Sequence, residues 1–208
     1  MQTGYCENRA VLRGEAAGRP ELSHGSHGVT YQRFPLSVRR LSGHCDVVNV
    51  IAPQALLEGL PVLPGRELEV SGEVRSFNNR SGVGSRLVIS LLARALAPAQ
   101  GPHCNELTLR GALCKPPVLR TTPLGREICD LMLAVNRRYG RSDYLPCIAW
   151  GALARRCARL EVGDPVGLAG RCQSRAYTNV LEGRSEERVA YEISIMRLAE
   201  EPAPVPGP

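Results

Sequence analysis

Apolar and polar residues alternate along most of this chain, and they do so twice in the same order. Leu107, Leu109, Gly111 and Leu113 interleave with Thr108, Arg110 and Ala112, the period of a half-buried strand, and Pro116 and Pro117 end the run. Residues 119–126 (LRTTPLGR) hold the Thr, Pro and Gly of a hairpin-type connection. Strand character returns over 128–135, turns at 140–143 and resumes through Ile148, Ala149 and Trp150. A helix is predicted over 152–160, with Leu153, Cys157 and Leu160 on one face and Arg155, Arg156 and Arg159 elsewhere. Val162-Gly163-Asp164 stops it. Val166, Leu168, Gly170 and Cys172, then Val189, Tyr191, Ile193 and Ile195, alternate as two last strands. Three strands, a helix and two strands is the order of the OB-fold, a five-stranded Greek-key barrel that binds oligonucleotides across one face.

The same frame precedes it. Asn8-Arg-Ala-Val-Leu-Arg-Gly14 returns as Asn105-Glu-Leu-Thr-Leu-Arg-Gly111, and residues 34–40 align with 131–137 at the same offset of 97. Val48-Asn-Val50 aligns with Ile148-Ala-Trp150, and 65–76 with 163–174, pairing Gly72 with Gly170. A period near 100 means duplicated domains, because solenoid repeats are far shorter. The prediction is an all-β protein of two tandem OB-fold five-stranded Greek-key barrels, with a short helix between strands 3 and 4 of at least the second. Residues 1–98 form a diverged OB domain for assembly, 99–199 the second OB domain, and 200–208 a proline-rich tail. Residues 95–104 (ALAPAQGPHC) read as a short, stiff linker.

Composition adds direction. The 26 cationic residues comprise 25 arginines and one lysine, Lys115, for a net charge of +6. Guanidinium groups grip phosphate in a fork and stack on bases, so a basic, Arg-rich chain is compatible with nucleic acid. No run of 18 apolar residues and no basic-then-apolar leader is present, which points to the cytoplasm and away from membrane. The eight cysteines are never closer than 10 residues apart, so reduced, mostly buried thiols are expected and no metal or other cofactor. No nucleophile elbow, phosphate loop or dinucleotide motif occurs, and Ser81-Gly-Val-Gly-Ser85 lacks the lysine and helix of a phosphate loop. An enzyme is not expected.

Asn105-x-x-x-Leu109-x-Gly111, Leu133-Ala-Val-Asn-Arg-x-Tyr139, Ile148-x-Trp150-Gly-x-Leu-Ala154, Gly163-Asp164, Gly170-Arg-x-x-Ser-Arg-x-Tyr177 and Tyr191-Glu192-Ile193 together resemble the bacterial single-stranded DNA-binding protein family, over about Asn105 to Leu198. The resemblance implies sequence-tolerant strand binding, with aromatic rings on the barrel face stacked on unpaired bases, in DNA replication and repair. It also implies four assembled OB domains, hence a homodimer of this two-barrel chain. The matching ring positions are Tyr139, Tyr144, Trp150 and Tyr177, four of only nine aromatics. Arg120, Arg137, Arg138, Arg141, Arg171 and Arg175 interleave with them, as do Arg126, Arg184 and Arg188, giving the cations and platforms that single strands require. Tyr144 and Trp150, an even number of residues apart, share one side of their strand if Pro146 does not bulge it.

The first copy departs from the pattern. Val50 aligns with Trp150 and Asn79 with Tyr177, with Phe77 nearby, so stacking there is expected to be weak and contacts limited to Arg39, Arg40, Arg75 and Arg80. The family's acidic tail tip is not seen in EEPAPVPGP, so recruitment of replication proteins through such a tail is not expected. Two other readings stay open: an OB pair serving as a protein-interaction or assembly module, and an accessory replication factor with weak strand binding.

Overall fold

A computed structural model of the chain describes residues 7–79, 87–137, 140–181 and 184–199. Six strands and a helix form the first half: β1 (Asn8–Ala16), β2 (Glu21–Ser26), β3 (Val29–Arg39), β4 (Cys45–Pro53), α1 (Gln54–Glu58), β5 (Glu67–Asn78) and β6 (Leu87–Pro98). The second half repeats them as β7 (Cys104–Leu113), β8 (Val118–Thr121), β9 (Glu127–Asn136), β10 (Ser142–Trp150), α2 (Ala152–Cys157), β11 (Pro165–Leu181) and β12 (Arg184–Leu198). Five long strands of each half close a barrel in the order first-second-third-fifth-fourth-first, with the third and fifth parallel. That is the OB-fold, twice. The short strands β2 and β8 widen each sheet at its edge.

Repeated sequence features explain the repeated shape. A Cβ on Gly14 would overlap the carbonyl oxygen of Ser37, and one on Gly111 that of Ala134, so only glycine lets the first strand close on the second in either barrel. Register shifts next to Gly72 and Gly170 bend the fourth strand of each barrel at the same place. Asn8 bonds both backbone groups of Val74 at 2.8 Å, and Asn105 does the same to Cys172 at 2.7 and 2.9 Å. Alternate residues such as Leu36, Val50 and Val70, or Leu133, Leu145 and Leu168, fill the interiors. Burial pushes the thiol of Cys157 up to about 11 and that of Cys172 up to about 12, so at neutral pH both remain protonated.

Three sequence expectations change. β6 runs on to Pro98 because Ala95, Leu96, Ala97 and Pro98 pair with β5, which leaves residues 99–103 as the connection. α2 ends at Cys157, although Leu160 still packs against the core. The 119–126 segment contains a strand, β8, closed by a turn in which Thr122 N donates to Arg126 O at 2.8 Å.

The barrels join edge to edge. β1 pairs antiparallel with β7 from Asn8↔Leu109 to Arg13↔Cys104, merging both barrels into one 12-stranded sheet. Leu12↔Asn105 mirrors Asn8↔Leu109, so the junction has an internal two-fold. Two buried carboxylates repeat that symmetry. Asp143, fully buried, accepts from Arg137 Nε at 2.8 Å within its own barrel, and from Ser76 N at 2.6 Å and Arg75 Nη1 at 3.0 Å of the other. Asp46, also fully buried, accepts from Arg40 Nε at 2.6 Å and from Ser174 N across the junction at 3.0 Å. The serines answer in kind: Tyr144 N donates to Ser76 Oγ at 2.8 Å and Val47 N to Ser174 Oγ at 2.9 Å.

Removing one partner of a buried ion pair leaves the rest uncompensated, at a cost of about 3–5 kcal/mol. With Arg75 and Arg137 partly exposed, the lower figure applies. Asp143→Ala is therefore expected to lower Tm by about 6–12 °C, at about 2–4 °C per kcal/mol for a chain of this size, measured by circular dichroism. An unchanged Tm would show that the carboxylate does not hold the barrels together.

Candidate nucleic-acid interface

β10 sets the first row of the site. Its pairing with β9 runs unbroken from Ser142↔Asn136 to Trp150↔Ile128, and Pro146 takes its place opposite Met132 without a bulge. Tyr144 and Trp150 therefore share one side of the strand, about 20 Å apart at about 3.4 Å per residue. Leu145, Cys147 and Ala149 face the core instead, while Tyr144 is 53% and Trp150 41% exposed. Trp150 is a surface ring, not a core one.

The other strands extend this face. Ile148 of β10 lies beside Ser194 of β12, and Ser194 lies opposite Arg171 of β11. Paired residues project to the same side, so the alternate positions Arg171, Gln173, Arg175 and Tyr177 look out over the same surface as the β10 rings. Tyr177 lies within β11 opposite Arg188 and is 36% exposed. Arg120 of β8 pairs with Ile128, which also neighbours Trp150, so its guanidinium flanks the Trp end of the row. Tyr144, Trp150, Tyr177, Arg120, Arg171 and Arg175 thus come together.

The remaining candidates divide. Tyr139 and Arg138 lie outside the described residues, and the side chains of Arg184 and Arg188 outside the described side chains. Arg141 is exposed at the β9–β10 turn, where its carbonyl accepts from Arg137 N at 2.6 Å. Arg137 differs most from its expected role. Its guanidinium is committed to Asp143 and to the Ser76 carbonyl at 3.0 Å, so it ties the barrels together and borders a groove on the first.

Alternation also places acidic groups on the face, which the basic pattern obscured. Asp130 grips Arg120 through both carboxylate oxygens, one of them 3.1 Å from Arg120 Nη2. Burial raises the pKa of the half-buried Glu192, and Asp130 adds to that, against the opposing pull of Arg175, Arg120 and Arg40. Arg40 belongs to the first barrel, so the second barrel's face borrows a charge across the junction. Burial lowers the pKa of Arg171, and the neighbouring Arg40 lowers it further. The signal for Glu192 was its even position in Tyr191-Glu192-Ile193, two before Ser194.

The matching face of the first barrel requires a correction. Its pairing register makes Cys45 equivalent to Ser142 and keeps the offset at 97 along the whole strand, so Pro53 and not Val50 stands at the place of Trp150. Val50 is a fully buried core residue, equivalent to Cys147. Nor is the face without rings. Tyr31 stands opposite Pro53 and stacks on His24 with ring centroids 4.9 Å apart, and Phe77, where Arg175 stands in the second barrel, is 47% exposed. Of the first-copy arginines, Arg40 and Arg75 are bound to carboxylates, Arg39 is exposed, and Arg80 lies outside the described residues.

Two OB barrels, one bearing an exposed row of rings flanked by arginines, define the oligonucleotide-binding class of β-barrel. Comparison with known proteins agrees. The model of the single-strand binding protein family matches residues 104–199. The single-stranded DNA-binding protein of Halalkalibacterium halodurans is 37% identical over 87 residues, 38% of this chain and 51% of that protein. Single-stranded DNA-binding proteins A and B of Bacillus subtilis are each 37% identical over 82 residues, 36% of this chain and 48% and 73% of those proteins. This chain belongs to the single-strand binding protein family. It spans about half the length of the Halalkalibacterium protein and of Bacillus protein A. In fold, it superposes on the wild-type single-stranded DNA binding protein of Thermus aquaticus with a TM-score of 0.74 at 24% identity, covering 99% of this chain and 96% of that one.

Proposed function

We propose that the chain binds single-stranded DNA without marked sequence preference, mainly through the second barrel, by stacking bases on Trp150, Tyr144 and Tyr177 while Arg171, Arg175 and Arg120 meet the phosphates. The observation that carries this reading is the single continuous face on which exposed rings of β10 and β11 alternate with guanidinium groups. Every base has a π-face, so stacking tolerates sequence, and it is worth about 1–3 kcal/mol per base. Arg141, exposed at the β9–β10 turn, extends the path, and Tyr139 and Arg138 are proposed to contact the strand as well. The protein acts by binding, with no reaction of its own.

Poly(dT) is expected to quench the fluorescence of Trp150, the only tryptophan, and added salt to reverse it. Trp150→Ala should weaken binding about 5- to 150-fold by anisotropy, the range set by the stacking energy. An OB pair that serves only in assembly would show no quenching.

Glu192 gives the interaction a pH dependence. Its raised pKa means that it takes up a proton earlier, as pH falls, than a carboxylate in water. Protonation removes a negative charge from among Arg175, Arg120, Arg40 and Asp130, so strand affinity should rise as pH drops from neutral toward the carboxylate range. Glu192→Gln should bind more tightly at neutral pH and lose much of this slope in the same titration. A variant with unaltered affinity and slope would remove Glu192 from the binding face.

With two barrels per chain, a homodimer presents the four OB domains that the family assembles. Light scattering should give twice the 22.6 kDa chain mass, and a monomer would refute the dimer.

A further inference from the structure

The face of the first barrel carries two adjoining grooves, of about 370 and 590 Å³, that share Ser23, Arg33, Ile51, Phe77 and Ser90. Their chemistry differs from that of the second barrel at equivalent positions. Register sets Arg33 where the second barrel has Asp130, and Ser90 where it has Glu192. The acidic pair of the second face is therefore replaced by a cation and a hydroxyl. Ser90 is 1% exposed, and its Oγ has no hydrogen-bond partner among the described residues. A buried hydroxyl without a partner is costly unless a ligand supplies one.

The rest of the lining fits a base. Phe77 and the His24–Tyr31 stack offer apolar planes, and Glu21 and Arg33 stand at the rim as a loose pair at 3.5 Å, both largely exposed. Arg137 of the second barrel borders the larger groove, so the groove reaches the junction between the barrels. Guanine is the base whose edges match. Its N2 amino and N1–H donate, which suits the Glu21 carboxylate. Its O6 and N7 accept, which suits Arg33 and the Ser90 hydroxyl. Thymine has no amino group for Glu21, and adenine and cytosine carry an acceptor beside their amino group, which a carboxylate repels, where guanine carries a second donor.

We propose that this groove is a guanine-preferring site on the bound strand, so that the first barrel reads base identity while the second holds DNA of any sequence. The inference rests on strand binding as proposed above, and its test separates the two. The full chain is titrated by anisotropy with a labelled all-dT strand and with the same strand carrying isolated dG, or isolated dA, at fixed salt. The dG strand is expected to bind about three- to tenfold tighter than either other strand, a small net gain because Glu21 and Arg33 are exposed to water and already paired with each other. Glu21→Gln and Ser90→Ala, each checked for an unchanged melting curve, should bring the ratio of dG to dT affinity to one. Equal affinity for all three strands, with Trp150 still quenched by dT, would overturn the guanine site alone. So would a preference that survives both substitutions. A chain that leaves every strand unbound and Trp150 unquenched would overturn strand binding itself, and the guanine site with it.

Discussion

A carboxylate taken out of water must be met by donors on all sides, and Asp46 and Asp143 are placed so that some of those donors come from the opposite barrel. That requirement couples the halves. Each aspartate is gripped by an arginine six residues before it, Arg40 or Arg137, and each then takes the backbone N–H of a serine on the other barrel's fourth strand. The serine hydroxyl in turn accepts from the residue that follows the aspartate. In the second barrel that residue is Tyr144. The backbone that presents this exposed ring is thus fixed by the first barrel, which ties the diverged copy to the candidate site.

The same two-fold that equalises the junction exposes the asymmetry of the faces. Equivalent positions carry Arg175 and Phe77, Arg171 and Glu73, Glu192 and Ser90, Trp150 and Pro53. Residues pointing inward kept their character, as Leu133 and Leu36 or Leu168 and Val70 show, because a packed interior tolerates little change in volume. Residues pointing outward were free to diverge. One face carries arginines interleaved with Asp130 and Glu192 and isolated rings. The other became grooved, with its arginines drawn into carboxylate pairs around Glu73 and Asp143.

Much of this was legible in the sequence. Alternation of period two over Leu107–Leu113 and Val166–Cys172 marked strands, and the Asn-x-x-x-Leu-x-Gly frame marked a repeat whose glycines close each barrel. The even spacing of Tyr144 and Trp150 placed both on one side. Matching Val50 to Trp150 failed for a physical reason: aligning apolar residues shifts the frame by three, whereas ladder hydrogen bonds hold the offset at 97 until the helix loop adds a residue. Tyr31 and His24 were missed because their stack forms across a hairpin whose register carries its own bulge. The cross-junction bonds join residues as far apart as Asp46 and Ser174, and periodicity is blind to such distances. Yet a trace existed. Arg40 and Asp46 recur as Arg137 and Asp143 at the common offset, and a polar pair that persists in both copies of a duplicated fold has a structural task.

That task bears on how the chain meets its ligand. In an assembly of separate OB subunits, the fraction of neighbouring faces held at their set angle depends on concentration. Here the β1–β7 ladder and the two aspartate locks fix it within one chain, before any strand arrives. Arg40 lies near Arg171 of the second face and Arg137 borders the groove of the first, so each barrel sends a side chain to the edge of the other's face. A flexible polymer laid across both faces would find its contacts already spaced, and the ordering cost would fall on the polymer alone. The covalent link matters less for tethering the barrels than for making their charges arrive in register.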